Sequence, residues 1–274
     1  MAPCCIPHPG FAAKLFMLFL LSPAKSLDYE RPIPHALAHS LPPFIEQSQS
    51  LIETLRLLAP HDIAKLMSIS DKLAQLNAAR YAQWTPAFTT DNARPAIFAF
   101  NGDVYEGLDA YSLTAQDIAW AQDHVLMLSG LYGALRPLDL MQPYRLEMGT
   151  KLANAHGSNL YQFWGSRIAQ LINERQAQDS QPVVINLASQ EYFKSVDLKY
   201  LKARVLECVF EDFKGGTYKI ISFYAKQARG LMARYAIENR LTHPEQLMAF
   251  DVAGYAYAPE VSSSQRLVFR RNCA

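Results

Sequence analysis

Long apolar runs, more than strict alternation, set the character of this chain. Met17–Leu21, Val125–Leu128 and Val183–Leu187 are almost wholly apolar, the pattern of strands buried on both faces of a parallel sheet. Ile97–Phe100, Val205–Phe210, Tyr218–Tyr224 and Arg266–Arg270 complete the predicted strands. Three-to-four-residue periodicity predicts helices over Pro43–Leu58, His61–Met67, Leu73–Trp84, Ala115–Gln122, Leu160–Gln176 and Ala225–Asn239. Gly215-Gly216 within Glu211–Thr217 predicts a hairpin between two late strands. Strands alternating with helices, and no linker-like stretch, predict an α/β fold: a single compact domain with a mixed sheet and packed helices over 17–274.

Four predicted strands end in similar loops. Met17–Leu21 runs into Ser22-Pro23-Ala24-Lys25, and Ile97–Phe100 into Asn101-Gly102-Asp103. Val125–Leu128 leads through Gly130 and Gly133 to Arg136, and Val183–Leu187 through Ser189 to a short helical piece, Glu191–Ser195, that holds Lys194. Ligands in open α/β sheets sit beyond the carboxyl ends of the strands. Lys25, Asp103, Arg136, Ser189 and Lys194 are therefore candidates for one pocket. Arg145, in the long loop Leu128–Gly149, either joins them or orders that loop by ion pairing with Glu147. The alternative for the whole set is a group of turn residues with solvated charges.

Composition narrows the picture. Half of the 274 residues are hydrophobic and 19% are charged, so one large core needs no staples. A net charge of +1 excludes tail-driven nucleic-acid binding and leaves local patches as the source of any attraction to phosphate. Cys4, Cys5, Cys208 and Cys273 form no disulfide framework, which points to a reducing, cytoplasmic setting. Cys208, inside an apolar run, reads as a buried and inert thiol. Leu15 to Leu21 is too short an apolar stretch to span a bilayer. Residues 1–16 are expected to be an unstructured extension, with Met17 a candidate start. His35 and His39 are bracketed by Pro34 and Pro42, no Cys/His set has zinc spacing, and no nucleotide-binding glycine motif is present. No metal and no cofactor is expected.

Two segments suggest contact with phosphate. Ile63–Met67, then Ser68-Ile69-Ser70-Asp71-Lys72, then a helix carrying Arg80, reads as a short helix, a tight turn with one buried aliphatic, and a second helix. That order resembles a helix-hairpin-helix, whose turn amides and second-helix N-terminus hold a DNA phosphate. Serines stand where the usual motif has glycines; the other reading is a plain helical hairpin. The second segment, Lys214–Arg240, carries six basic residues against one acid, Glu238. On its helix, Ala228, Leu231, Met232 and Tyr235 are the predicted core face. Lys226, Arg229 and Arg234 are then candidate phosphate contacts beside a strip of small residues, Gly230 and Ala233, that would let a backbone approach.

The blocks SPAKSLDY (22–29), MSISDKLAQLNAARY (67–81), FNGDVYEGL (100–108), LSGLYGALRPLDLMQPYRLEMG (128–149), NLASQEYFKSV (186–196) and KIISFYAKQARGLMARYAIENRL (219–241) together resemble the YaaA family of bacterial cytosolic peroxide-stress resistance proteins. The resemblance spans Met17 to Arg270. It implies an α/β fold of its own type with a helix-hairpin-helix and a positively charged cleft. It also implies DNA binding with little sequence preference, and peroxide protection linked to lower free intracellular iron, with no settled enzymatic activity. The helix-hairpin-helix would fall on Ser68–Lys72. A DNA-binding protector is the leading expectation. An enzyme acting on a nucleotide or damaged nucleobase, with Lys25, Asp103 or Lys194 in catalytic roles, is the alternative, and a small anionic ligand is its natural partner. Direct iron sequestration and thiol-based sensing rank below both.

Overall fold

The computed structural model describes residues 17–34 and 37–272. The N-terminal extension, His35, Cys4, Cys5 and Cys273 lie outside the described residues. Among the described residues the strands are β1 (Met17–Leu21), β2 (Ser26–Leu27), β3 (Arg94–Pro95), β4 (Phe100–Asn101), β5 (Val125–Ser129), β6 (Gly133–Leu135), β7 (Leu140–Met141), β8 (Val183–Asn186), β9 (Arg204–Lys214), β10 (Thr217–Lys219), β11 (Ala256–Tyr257) and β12 (Arg266–Asn272). The helices are α1 (Ile45–Arg56), α2 (Pro60–Met67), α3 (Asp71–Gln83), α4 (Ala96–Ala99), α5 (Asp103–Leu108), α6 (Ala115–His124), α7 (Leu160–Trp164), α8 (Arg167–Arg175), α9 (Gln190–Phe193) and α10 (Ser222–Glu238).

The main sheet runs β11-β12-β9-β8-β1-β5-β6, with β10 hairpinned onto β9. The pairs β12–β9, β9–β8, β8–β1 and β1–β5 are parallel, while β6, β10 and β11 are antiparallel additions. The mixed sheet is thus a parallel core with antiparallel edges. Every residue of β1, β5 and β8 is buried, as continuous apolar runs require. Gly215 and Gly216 close the β9–β10 hairpin with φ of 66° and 82°. A two-residue hairpin needs that left-handed geometry, and glycine adopts it freely.

Three predicted elements come out differently. Ile97–Phe100 is a buried helical turn, α4, followed by the short strand β4, which pairs with β2. The amides of Ala96 and Ile97 donate to the carbonyls of Asp139 and Pro137, so the turn satisfies its backbone on the neighbouring loop. Tyr218–Tyr224 stays extended only to Lys219, and α10 starts at Ser222. The predicted helix Leu160–Gln176 breaks at Gly165, whose φ of 48° and ψ of −125° no helix accommodates. The segment 130–149 is an ordered, largely buried loop carrying only the short strands β6 and β7.

Helix α10 buries Ala225, Ala228, Gly230, Met232, Ala233, Ala236 and Ile237, while Leu231 and Tyr235 are only partly covered. The small-residue strip is therefore the core face, and what approaches it is α5. A Cβ on Gly230 would stand 1.8 Å from the Val104 carbonyl oxygen, and one on Gly107 would stand 2.2 Å from that of Gln227. The two helices cross glycine to glycine. The strip reserved in the sequence reading for a phosphate backbone is occupied by protein backbone. No helix among the described residues is long and apolar enough to cross a membrane.

Candidate functional site

Strands β1 and β8 lie side by side and parallel at the centre of the sheet. From β1 the chain returns to the sheet at β5 on one flank, and from β8 it moves to β9 on the other. Their carboxyl ends therefore send the chain apart, and a crevice opens between them, the usual ligand position in open α/β sheets. Here that crevice is a cavity of about 440 Å³.

Ser22 and Ser189 form its floor. The Ser189 amide donates to Ser22 Oγ at 2.9 Å and the two hydroxyls are 3.3 Å apart, tying the two strand ends together. Tyr105 Oη donates to the Ser22 carbonyl at 3.0 Å. Burial pushes the Tyr105 and Tyr192 phenols well above their ordinary value, so both present neutral hydroxyls to the cavity wall. Helix α5 contributes Asp103, and α10 contributes Lys226 and Arg229. Lys226 Nζ lies 3.4 Å from Asp103 Oδ2, a pair that spans the glycine crossing of the two helices. Lys25 Nζ lies 2.9 Å from Glu147 Oε2, while Glu147 Oε1 accepts from Arg145 Nη2 at 3.1 Å. Glu191, also on the wall, accepts from the Gly149 amide at 2.8 Å.

Lys25, Lys226 and Arg229 thus face Asp103, Glu147 and Glu191. Two of the cations are paired. Arg229 is not: no carboxylate among the described residues pairs with it, and its Nε is buried without a hydrogen-bond partner. Burial draws its pKa down from the usual guanidinium value, against the more distant attraction of Glu207. A desolvated cation lacking a partner is costly to keep, and an incoming anion relieves that cost.

Asn101 lines this cavity and also a neighbouring concavity, which holds Arg80 of α3 together with Tyr29 and Pro143. Arg80 is partly buried, has no carboxylate partner among the described residues and reaches only Asn77 Oδ1, at 3.5 Å. Burial lowers its pKa as well. Asn101 is thus shared by the cavity that holds Arg229 and the concavity that holds Arg80, on the second helix of the α2–α3 pair.

The other candidates lie elsewhere. Arg136 follows β6, which is antiparallel to β5, and so lies at the opposite end of the sheet. Its backbone amide and Nε bind the buried Asp139 at 2.8 and 3.2 Å. Lys194 sits in a separate groove with Nζ 5.0 Å from the Tyr161 ring centre. Arg145 stands behind Glu147, and its carbonyl accepts from Tyr81 Oη of α3. Arg234 is committed to the end of α5, bonding the Leu108 and Asp109 carbonyls and Ser112 Oγ and pairing with Asp109 and Glu238. Glu147, read in the sequence as loop support, does both jobs: it fastens Arg145 and lines the cavity. Tyr105 and Ser22 carried no readable signal.

A family model described as peroxide stress protein YaaA matches residues 17–261. The chain is 68% identical over 258 residues to a UPF0246 protein of Paracidovorax citrulli, covering 94% of this chain and all of the relative. It is 64% identical over 260 residues to one from Delftia acidovorans, with 94% and 100% covered. For one from Bordetella petrii the identity is 62% over 255 residues, with 93% and 99% covered.

The chain belongs to the YaaA peroxide-stress family.

The YaaA match begins at the first residue of β1 and includes every residue that lines the central cavity. It also includes the α2–α3 pair. Ser68 ends α2 with φ 52° and ψ 52°, the left-handed conformation normally given to glycine. Ile69 packs against the core, and Ser70 Oγ accepts from the Leu73 amide at 3.4 Å, capping α3. Ser70 and Lys72 are exposed. Two helices and a three-residue turn are in place. No cluster of three or more His, Cys, Asp or Glu side chains able to hold a metal occurs among the described residues.

Proposed function

We propose that this YaaA-family protein acts in the cytoplasm to protect DNA during peroxide stress, binding the sugar-phosphate backbone with little sequence preference. The observation that carries the reading is Arg229, whose buried Nε has no hydrogen-bond partner and which has no carboxylate partner among the described residues; Arg80, partly buried and likewise without a carboxylate among them, lines a concavity that shares Asn101 with the Arg229 cavity. Each is a standing charge deficit that a phosphate corrects. The exposed turn Ser68–Lys72 lies at the start of α3, on whose last turn Arg80 sits, so a duplex lying along α3 can reach both. Lys226 adds charge at the mouth, whereas Arg234 serves the fold. Such contacts position a backbone without reading bases. On this reading lower free iron is an indirect consequence, since the benefit comes from shielding DNA from iron-peroxide damage.

The test is fluorescence anisotropy of a short duplex across a salt series, with wild type, Arg229→Met, Arg80→Met and Lys72→Ala. Affinity is expected to fall steeply with salt, and each substitution to reduce the slope by about one. Thermal stability of Arg229→Met is expected to hold or rise, because a buried unpaired charge is removed. A flat salt response, or full affinity in both arginine variants, overturns the proposal.

One observation favours a second reading, an enzyme acting on a nucleotide or damaged nucleobase. The pairs Lys226–Asp103 and Lys25–Glu147 flank a cavity at the strand switch, with neutral Tyr105 and Tyr192 hydroxyls beside them. Paired carboxylates and amines of this kind supply a base and a nucleophile. Peroxide protection that survives Asp103→Asn and Lys25→Ala undiminished rules this reading out.

A further inference from the structure

The polar groups around the central cavity satisfy one another only in part. Ser22 Oγ accepts from the Ser189 amide and donates to Ser189 Oγ. Ser189 Oγ accepts a second time, from the Tyr192 amide at 3.4 Å. Both lone pairs of that oxygen are then taken, and its own proton has no acceptor among the described residues. Tyr192 Oη accepts from the Met148 amide, and burial keeps its proton in place, so it too is left a donor. Arg229 adds a guanidinium with no ion pair among the described residues. Three donors on one cavity therefore lack acceptors.

Acceptors are left over as well. Asp103 turns only Oδ2 to Lys226, at 3.4 Å, and among the described residues the Glu191 carboxylate accepts only from the Gly149 amide, at 2.8 Å. An ionised carboxylate has about four acceptor sites, so neither group is saturated. Asn101 is exposed on the same lining. Carboxylates with oxygens to spare are the usual partners of sugar hydroxyls. The cavity thus offers donors for an anion and acceptors for hydroxyls.

We propose that the central cavity binds a soluble phosphate monoester of a hydroxylated molecule, a sugar phosphate or a nucleoside monophosphate. The phosphate takes the donors Arg229, Ser189 and Tyr192, Lys226 adds charge, and the hydroxyls face Asp103 and Glu191. The volume of about 440 Å³ is that of a small-molecule site. A terminal phosphate carries close to two negative charges and ends its molecule, so a cavity can take it in whole. A backbone phosphodiester carries one charge and continues in both directions. The proposal rests on the second reading above, a small molecule at the strand switch, and names the class that the site takes.

The experiment is isothermal titration calorimetry of the full chain with ribose 5-phosphate, adenosine 5′-monophosphate, ribose and inorganic phosphate. At least one monoester is expected to bind about tenfold or more tightly than inorganic phosphate, through the added hydroxyl contacts, and ribose alone to give no heat. The tighter of the two monoesters separates a sugar phosphate from a nucleotide. Arg229→Met should weaken that monoester by about tenfold or more, and Arg229→Lys should recover part of the loss. Lys194→Ala, in its separate groove, should change nothing. Asp103→Asn should narrow the gap between monoester and inorganic phosphate. Inorganic phosphate that binds as tightly as both monoesters overturns the proposal, and so does an absence of binding by either monoester at millimolar concentration. Binding without turnover, followed by phosphorus and proton NMR, upholds the site and removes the enzyme.

Discussion

The glycine crossing of α5 and α10 can be tested with Gly230→Ala. The added methyl would lie 1.8 Å from the Val104 carbonyl oxygen and 2.8 Å from the Leu108 nitrogen. Carbon atoms are not found closer than about 3.0 Å to such neighbours, so the helices must part by about 1.2 Å. Both opposing atoms are backbone, and no rotamer change relieves the contact. Two opposed terms decide the outcome. Alanine in a helix interior is favoured over glycine by about 1 kcal/mol. Overpacking costs about 1–3 kcal/mol, and more where backbone must move. The second term wins, for a net loss of about 1–2 kcal/mol. At this chain length each kcal/mol lowers Tm by about 2–4 °C, so a drop of about 5 °C is expected by differential scanning fluorimetry. Because Asp103 rides on α5 and Lys226 and Arg229 ride on α10, the same displacement opens the 3.4 Å ion pair across the cavity mouth. Affinity for nucleic acid should fall along with Tm. Gly215→Ala provides the control: it places alanine at φ +66° in the hairpin with nothing within 4 Å, costing about 1–2 kcal/mol in backbone strain at a distance from the cavity. Its affinity should match wild type. A Gly230→Ala protein that melts at or above wild type would show that the helix spacing is soft and that helix propensity governs this position.

Three further outcomes are expected. Ser68→Gly relieves a left-handed serine at φ 52° and should raise stability by about 0.5–1 kcal/mol in urea unfolding, net of glycine's greater freedom when unfolded; a loss would mean the serine hydroxyl holds the turn. Burial pushes the Cys208 thiol up, so little thiolate forms. Cys208→Ala should remove one thiol from the denatured labelling count, leave the native count unchanged, and leave peroxide protection intact. His124 stacks on Trp120 at 3.9 Å, and burial lowers its pKa despite the Trp120 carbonyl and Asp123, with Arg175 and Arg240 also nearby. A depressed folded-state value favours the neutral ring, so its contribution is present above about pH 6.5 and is lost as pH falls below that. His124→Gln should flatten the fall in Tm between pH 7 and pH 5, and an unchanged slope would contradict this.

Most of the sheet could be read from apolar runs, because a parallel strand buried on both faces has no polar positions to break the run. The same property explains the error at Ile97–Phe100. A buried helical turn such as α4 is just as uniformly apolar, and four residues cannot display a period. On α10 the misreading was of size. Leu231 and Tyr235 look like core and Gly230 and Ala233 look like a gap, yet in a helix pair as close as α5 and α10 the small residues make the contact. Burial there follows the partner's distance, which local sequence does not encode. The candidate site failed and succeeded for a related reason. Lys25, Asp103 and Ser189 meet because the segments that carry them all come to the carboxyl ends of β1 and β8, whereas Arg136 follows a strand that runs the other way. Loop chemistry after each strand was legible, but strand direction was not, and direction decides which loops share an end of the sheet. Lys226 and Arg229 joined the same cavity from a helix whose charges were visible and whose placement was not. Their placement follows from the glycine crossing, so the feature most poorly read in the sequence, Gly230 against Val104, is the one that builds the site.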